Sequence, residues 1–97
     1  MDYRLIKNIE NIEGVLDKIN KINAIGYTDK NTEKHSVGVI AQEVLLQYPE
    51  LVNRTPNGYY VVDYQKLAVI LLAAVQELQR EVQTMKKHNR KKADVVV

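Results

Sequence analysis

The chain contains no cysteine, tryptophan or phenylalanine, and only one serine, two prolines and four glycines among 97 residues. Without cysteine there are neither disulfides nor thiolate metal ligands. The two histidines, His35 and His88, fall in different segments, so the expected metal and cofactor complement is none. Ser36, the lone serine, stands beside His35. Adjacent strand residues point to opposite faces, so this pair lacks the hydrogen-bond reach that a nucleophile and its base need. The longest apolar run, Leu67 to Val75, is about half of what a membrane span requires. No basic stretch followed by an apolar one opens the chain. The expectation is a soluble, unsecreted assembly module with no membrane partner, not a small-molecule enzyme.

What is present is ordinary for a folded protein: 45% hydrophobic residues, 27% charged and a formal net charge of +2. A chain this short buries roughly 60–65% of the surface its unfolded form exposes, so stability borrowed from a partner or a copy is expected. Positive charge is concentrated at Lys86, Lys87, Arg90, Lys91 and Lys92. Near-balanced total charge and the lack of interleaved aromatics argue against nucleic-acid binding, and cations are favoured at a helix C-terminus in any case. Glu10, Glu13 and Asp17 have helical spacing and read as a solvated face. Of six tyrosines, the chain's only aromatics, Tyr59 and Tyr60 must face opposite ways on one strand, leaving one for an interface.

Leu5, Ile9, Ile12, Leu16 and Ile19 recur in steps of four and three, which predicts a short amphipathic helix at about residues 11–21 with Gly14 as an irregularity. Strand-like stretches at 24–27 and 36–40, separated by the polar cluster from Thr28 to Glu33, predict a hairpin. A brief helix follows over 41–48 and stops at Pro49. Leu51-Val52 and Tyr59 to Val62, joined through Pro56-Asn57-Gly58, predict a second hairpin, and Asp63 is placed to cap the next helix.

From Tyr64 to about Arg90 there is neither glycine nor proline, predicting one helix of about 27 residues, roughly 40 Å long. Ala68, Val75, Val82 and Asn89 occupy one heptad position and Leu71, Leu78 and Met85 the other, which makes a coiled-coil seam. Leu67, Ile70, Leu72 and Ala74 widen the stripe in the first half, which can then pack on the domain body while the second half projects. Asn89 at a seam position favours one register. Valine at one seam position with leucine at the other suggests two strands by itself. The final valines, Val95 to Val97, follow no pattern.

Three segments in order resemble the intramolecular chaperone auto-processing domain of bacteriophage tail spikes, tail fibres and neck appendages. They are Asp2-Tyr3-Arg4-Leu5-Ile6-Lys7-Asn8-Ile9, then His35 to Val44 with Pro49-Glu50-Leu51-Val52, then Gly58-Tyr59 through Val62-Asp63-Tyr64-Gln65-Lys66-Leu67. The resemblance implies an α+β fold with a short N-terminal helix, small β-hairpins and a long C-terminal helix in a trimeric bundle or coiled coil. It implies a chaperone domain over residues 1–92 and a tail over 93–97. Ala68, Leu71, Val75, Leu78, Val82 and Met85 are the expected trimer interface.

The same resemblance implies a homotrimer serving a fibrous, β-rich viral tail protein in the host cytoplasm during virion assembly, released by self-cleavage or retained on the tail. In that family a serine precedes the aspartate that matches Asp2, and a lysine five residues after the serine activates it. Here Met1 and Ile6 hold those positions. Methionine offers no nucleophilic oxygen and isoleucine accepts no proton, so this chain is expected not to cut itself. Asp2, His35, Gln42 and Glu43 are the motif-matched neighbourhood of the processing site, with bracing roles as the structural alternative. Two other readings remain at this point: the released product of a self-cleaving serine peptidase whose serine lies before Asp2, and a coiled-coil adaptor or nucleic-acid-binding arm.

Overall fold

A computed structural model describes the backbone of residues 1–96 and the side chains of residues 1–88. The expectations for Asn89, the basic side chains beyond it and the valine tail lie outside the described side chains. The order of elements is a 3-10 turn at Tyr3–Leu5, α1 (Val15–Ile19), β1 (Ala24–Thr28), β2 (His35–Val39), α2 (Ala41–Gln47), a 3-10 turn at Pro49–Leu51, β3 (Val52–Arg54), β4 (Tyr60–Val62) and α3 (Tyr64–Val96). This is the expected α+β arrangement of short helices, two hairpins and one long helix.

The N-terminal helix is shorter than its apolar spacing predicts. Asn8 has φ 54° and Gly14 φ 66°, and each left-handed residue breaks the run of helical dihedrals. Helix begins only after Gly14, and two further turn bonds, Lys21 N–H to Lys18 and Ile22 N–H to Ile19, carry the chain to β1. Leu16 and Ile19 pack on the core, whereas Leu5 and Ile9 stand 84% and 72% exposed on an arm that precedes it. A helix of so few turns is marginal unless its apolar face is covered, and among the described residues none covers Leu5 or Ile9.

β1 and β2 pair antiparallel from Ala24 with Val39 to Thr28 with His35. Asp29 closes the turn: its carboxylate accepts the N–H groups of Asn31 (2.8 Å) and Thr32 (2.9 Å). An isolated two-stranded hairpin is marginal in water, and this one is tied at its base. Glu43 on α2 accepts from both the backbone N–H and the side-chain amide of Asn23, each at 3.1 Å. The Val39 N–H donates to the Tyr64 hydroxyl at 3.3 Å. Gly38 permits that approach, because a Cβ there would come within 2.7 Å of the same hydroxyl.

α2 ends at Gln47, ahead of Pro49, and β3 pairs with β4 from Val52–Val62 to Arg54–Tyr60. Gly58, at φ 86°, makes the connecting turn, and Thr55 and Tyr59 close it. Asp63 caps α3 as expected, accepting the Lys66 N–H at 3.1 Å. The core lies where these elements meet the first half of α3: Val15, Val44, Tyr48, Leu51, Leu67, Ile70 and Ala74. Lys18 sets its ammonium 4.9 Å from the Tyr48 ring centre. Burial pushes the Tyr48 phenol above its ordinary pKa, with the Glu50 and Glu77 carboxylates adding to the effect.

Candidate functional site

The long helix carries two apolar stripes with different fates. Leu67, Ile70 and Ala74 are buried against the body. About a quarter turn away at helical spacing, the heptad seam is left open: Leu71, Val75, Leu78 and Met85 are 46%, 63%, 51% and 64% exposed. Ala68 is also exposed and Val82 is half-buried. Leu72, expected to help cover the body, instead faces solvent beside the seam. The partition follows from length. The body reaches only the first part of α3, whose 33 residues extend about 50 Å.

The molecule as a whole is correspondingly open. Its radius of gyration is 19.0 Å, against about 12–13 Å for a compact chain of this length. Its accessible surface is 8688 Å², roughly 3,000 Å² more than the size scaling for a folded monomer gives. That excess is of the order buried in obligate subunit interfaces. Among the described residues, no helix is long and apolar enough to cross a membrane, and no group of three metal-ligating side chains is assembled.

The four motif-matched residues do not form one site. Asp2 pairs with Arg4 at 2.7 Å, and the Arg4 guanidinium, joined by the Arg4 N–H, holds its carboxyl below the usual range. His35 Nδ1 shares a 2.7 Å hydrogen bond with the Thr28 hydroxyl. Glu43 holds Asn23, and Gln42 is exposed. Among the described residues no hydrogen bond links any two of the four. His35 and Ser36 lie on consecutive residues of β2, opposite Thr28 and Tyr27 respectively. Glu10 and Glu13, expected on a solvated helix face, are on the arm instead. With Gly14 they line an open groove of about 610 Å³ whose far wall is Val69, Leu72, Gln76 and Arg80 of α3.

Sequence reasoning missed Glu77. One Oε2 of this residue accepts from the N–H groups of Val15 (2.9 Å) and Leu16 (3.3 Å), docking the start of α1 onto α3. A signal for it was available: Glu77 continues the buried 67, 70, 74 stripe, and a carboxylate on an apolar face needs donors.

A family model described as the chaperone of endosialidase matches residues 2–53. The chain belongs to this family. The comparison with curated proteins gives no match. The matched stretch of this chaperone-of-endosialidase chain contains the arm, α1, the first hairpin, α2 and the start of β3, that is, the elements that wrap one side of α3. All four motif-matched residues lie within it. The open seam lies in the portion that follows, and its heptads are read from this sequence and its exposure from this structure.

Proposed function

We propose that this chain is a homotrimeric assembly chaperone for a phage tail fibre, tail spike or related appendage protein. The observation that carries the proposal is the unspent seam: Leu71, Val75, Leu78 and Met85 are exposed, while the stripe that holds the body uses different residues of the same helix. A row of large apolar side chains at heptad spacing gains most by burial against identical rows. The number three comes from the family resemblance, since the heptads alone would suit two strands.

Such an assembly addresses the slow step in building a fibrous trimer. Long-range β pairing among three chains is rewarded only after the chains share one register, and loop-closure and alignment entropy must be met first. Helices that associate early bring the client segments to effective concentrations of about a millimolar. The client is a β-rich viral tail protein, folded in the host cytoplasm during virion assembly. Because Ile6 stands where the family's activating lysine is expected, this chain acts by templating and does not cut itself.

Sedimentation equilibrium at micromolar concentration is expected to give the mass of three copies. A monomer under those conditions overturns the proposal. Expressing a β-rich tail protein with and without this domain tests the client half: soluble trimer is expected only with it, and equal yields would count against a chaperone role.

A further inference from the structure

Building on the self-association just proposed, we infer that neighbouring copies lie parallel and in register, locked by an ion pair between Glu81 of one chain and Lys86 of the next. With Ala68, Val75 and Val82 as the first seam position and Leu71, Leu78 and Met85 as the second, Glu81 directly precedes the seam on one flank and Lys86 directly follows it on the other. In parallel helices those two flanks meet across the seam with an offset of five residues, the separation of Glu81 and Lys86. Both side chains are exposed.

Neither charge is explained within its own helix. Residues three and four away from Glu81 are Glu77, Leu78, Thr84 and Met85, and those from Lys86 are Val82, Gln83, Asn89 and Arg90. Helical neighbours at those separations are the ones that can pair, and none here has the opposite charge. Glu81 also stands at the first place where its flank is free. The two earlier positions on the same flank, Leu67 and Ala74, are buried in the chain's own core, so a partner helix has access to both sides of the seam only from Glu81 onward. An antiparallel neighbour centred on Leu78 would set Lys86 against Leu72 and Glu81 near Ala74, leaving both charges beside apolar groups. The parallel arrangement pairs them, and it delivers all three chain starts to the same end, which a client joined there would require.

The test uses the full chain with Glu81→Lys, Lys86→Glu and the double exchange. Each single variant places like charges across every interface, and the concentration at which the assembly dissociates should rise about tenfold at low salt. The double exchange should return it to the wild-type value, mixing the two single variants should recover part of the loss because a mixed trimer pairs opposite charges at two of its three interfaces, and high salt should close the differences. Because the chain has no cysteine, Val82→Cys reports orientation separately: oxidation should join copies through residue 82 in the parallel register, whereas the antiparallel neighbour centred on Leu78 would set residue 82 against Ala74 and out of disulfide reach. Unchanged dissociation in both single variants, or no cross-link within an assembly of wild-type mass, overturns this inference and leaves self-association standing. A wild-type monomer overturns both.

Discussion

Glu77, in the middle of α3, accepts the N–H groups of Val15 and Leu16 at 2.9 and 3.3 Å and so caps a helix 62 positions away in sequence. Gly14, the residue before α1, has no side chain with which to do this. The amide groups at the start of α1, which have no partner within their own helix, and the carboxylate are therefore matched across the tertiary interface. Glu77→Ala should cost about 1–2 kcal/mol, measured as a fall in the urea midpoint at fixed protein concentration. Glu77→Gln keeps an acceptor without the charge and should lose less.

Gly38 and Tyr64 form a second long-range lock. A Cβ at residue 38 would lie 2.7 Å from the Tyr64 hydroxyl, which Val39 uses as an acceptor. Gly38→Ala should destabilise by about 1–3 kcal/mol through that overlap. Tyr64→Phe removes the offending oxygen, so the double variant should recover part of the loss. A thermodynamic cycle over the four proteins measures the coupling, and strictly additive losses would refute the contact.

The two stripes of α3 should respond differently to substitution. Ile70→Ala opens a cavity in the core and should lower monomer stability by about 2–5 kcal/mol. Leu78→Glu places a carboxylate on the open seam and should abolish higher-mass species in sedimentation. At protein concentrations low enough to dissociate the wild type, its unfolding transition should match the wild type's.

Acid should loosen the first hairpin at its tip. The Thr32 and Asn31 N–H groups, in that order, hold the Asp29 carboxyl below its ordinary value of 3.8. A carboxyl whose folded pKa is depressed adds stability that is complete above its unfolded pKa and is lost as pH falls through the folded one. Amide exchange at Asn31 and Thr32 should therefore accelerate below about pH 3.8 relative to the intrinsic rate, and Asp29→Ala should show the faster exchange at every pH.

Much of the fold is written locally. The absence of glycine and proline after Asp63, the Asp63 cap, the Pro49 stop and the Asn57-Gly58 turn act through dihedral preferences and bonds to near neighbours, so α3, α2 and both hairpins could be placed from residue order. The arm misled for the same reason. Leu5, Ile9 and Ile12 have helical spacing, but spacing yields a helix only where the apolar face is covered, and left-handed Asn8 and Gly14 interrupt it.

What residue order determined by itself was the set of elements, the family and the heptad seam on the last helix. Only the tertiary structure decided which apolar residues of that helix are spent on the body and which are left over. Leu67, Ile70 and Ala74 meet α1, α2 and the turn at Pro49–Leu51, whereas Leu71, Val75 and Leu78 meet solvent. Both sets are aliphatic and share the same helical geometry. The difference lies in where distant segments come to rest, and docking contacts such as Glu77 with the start of α1 set that.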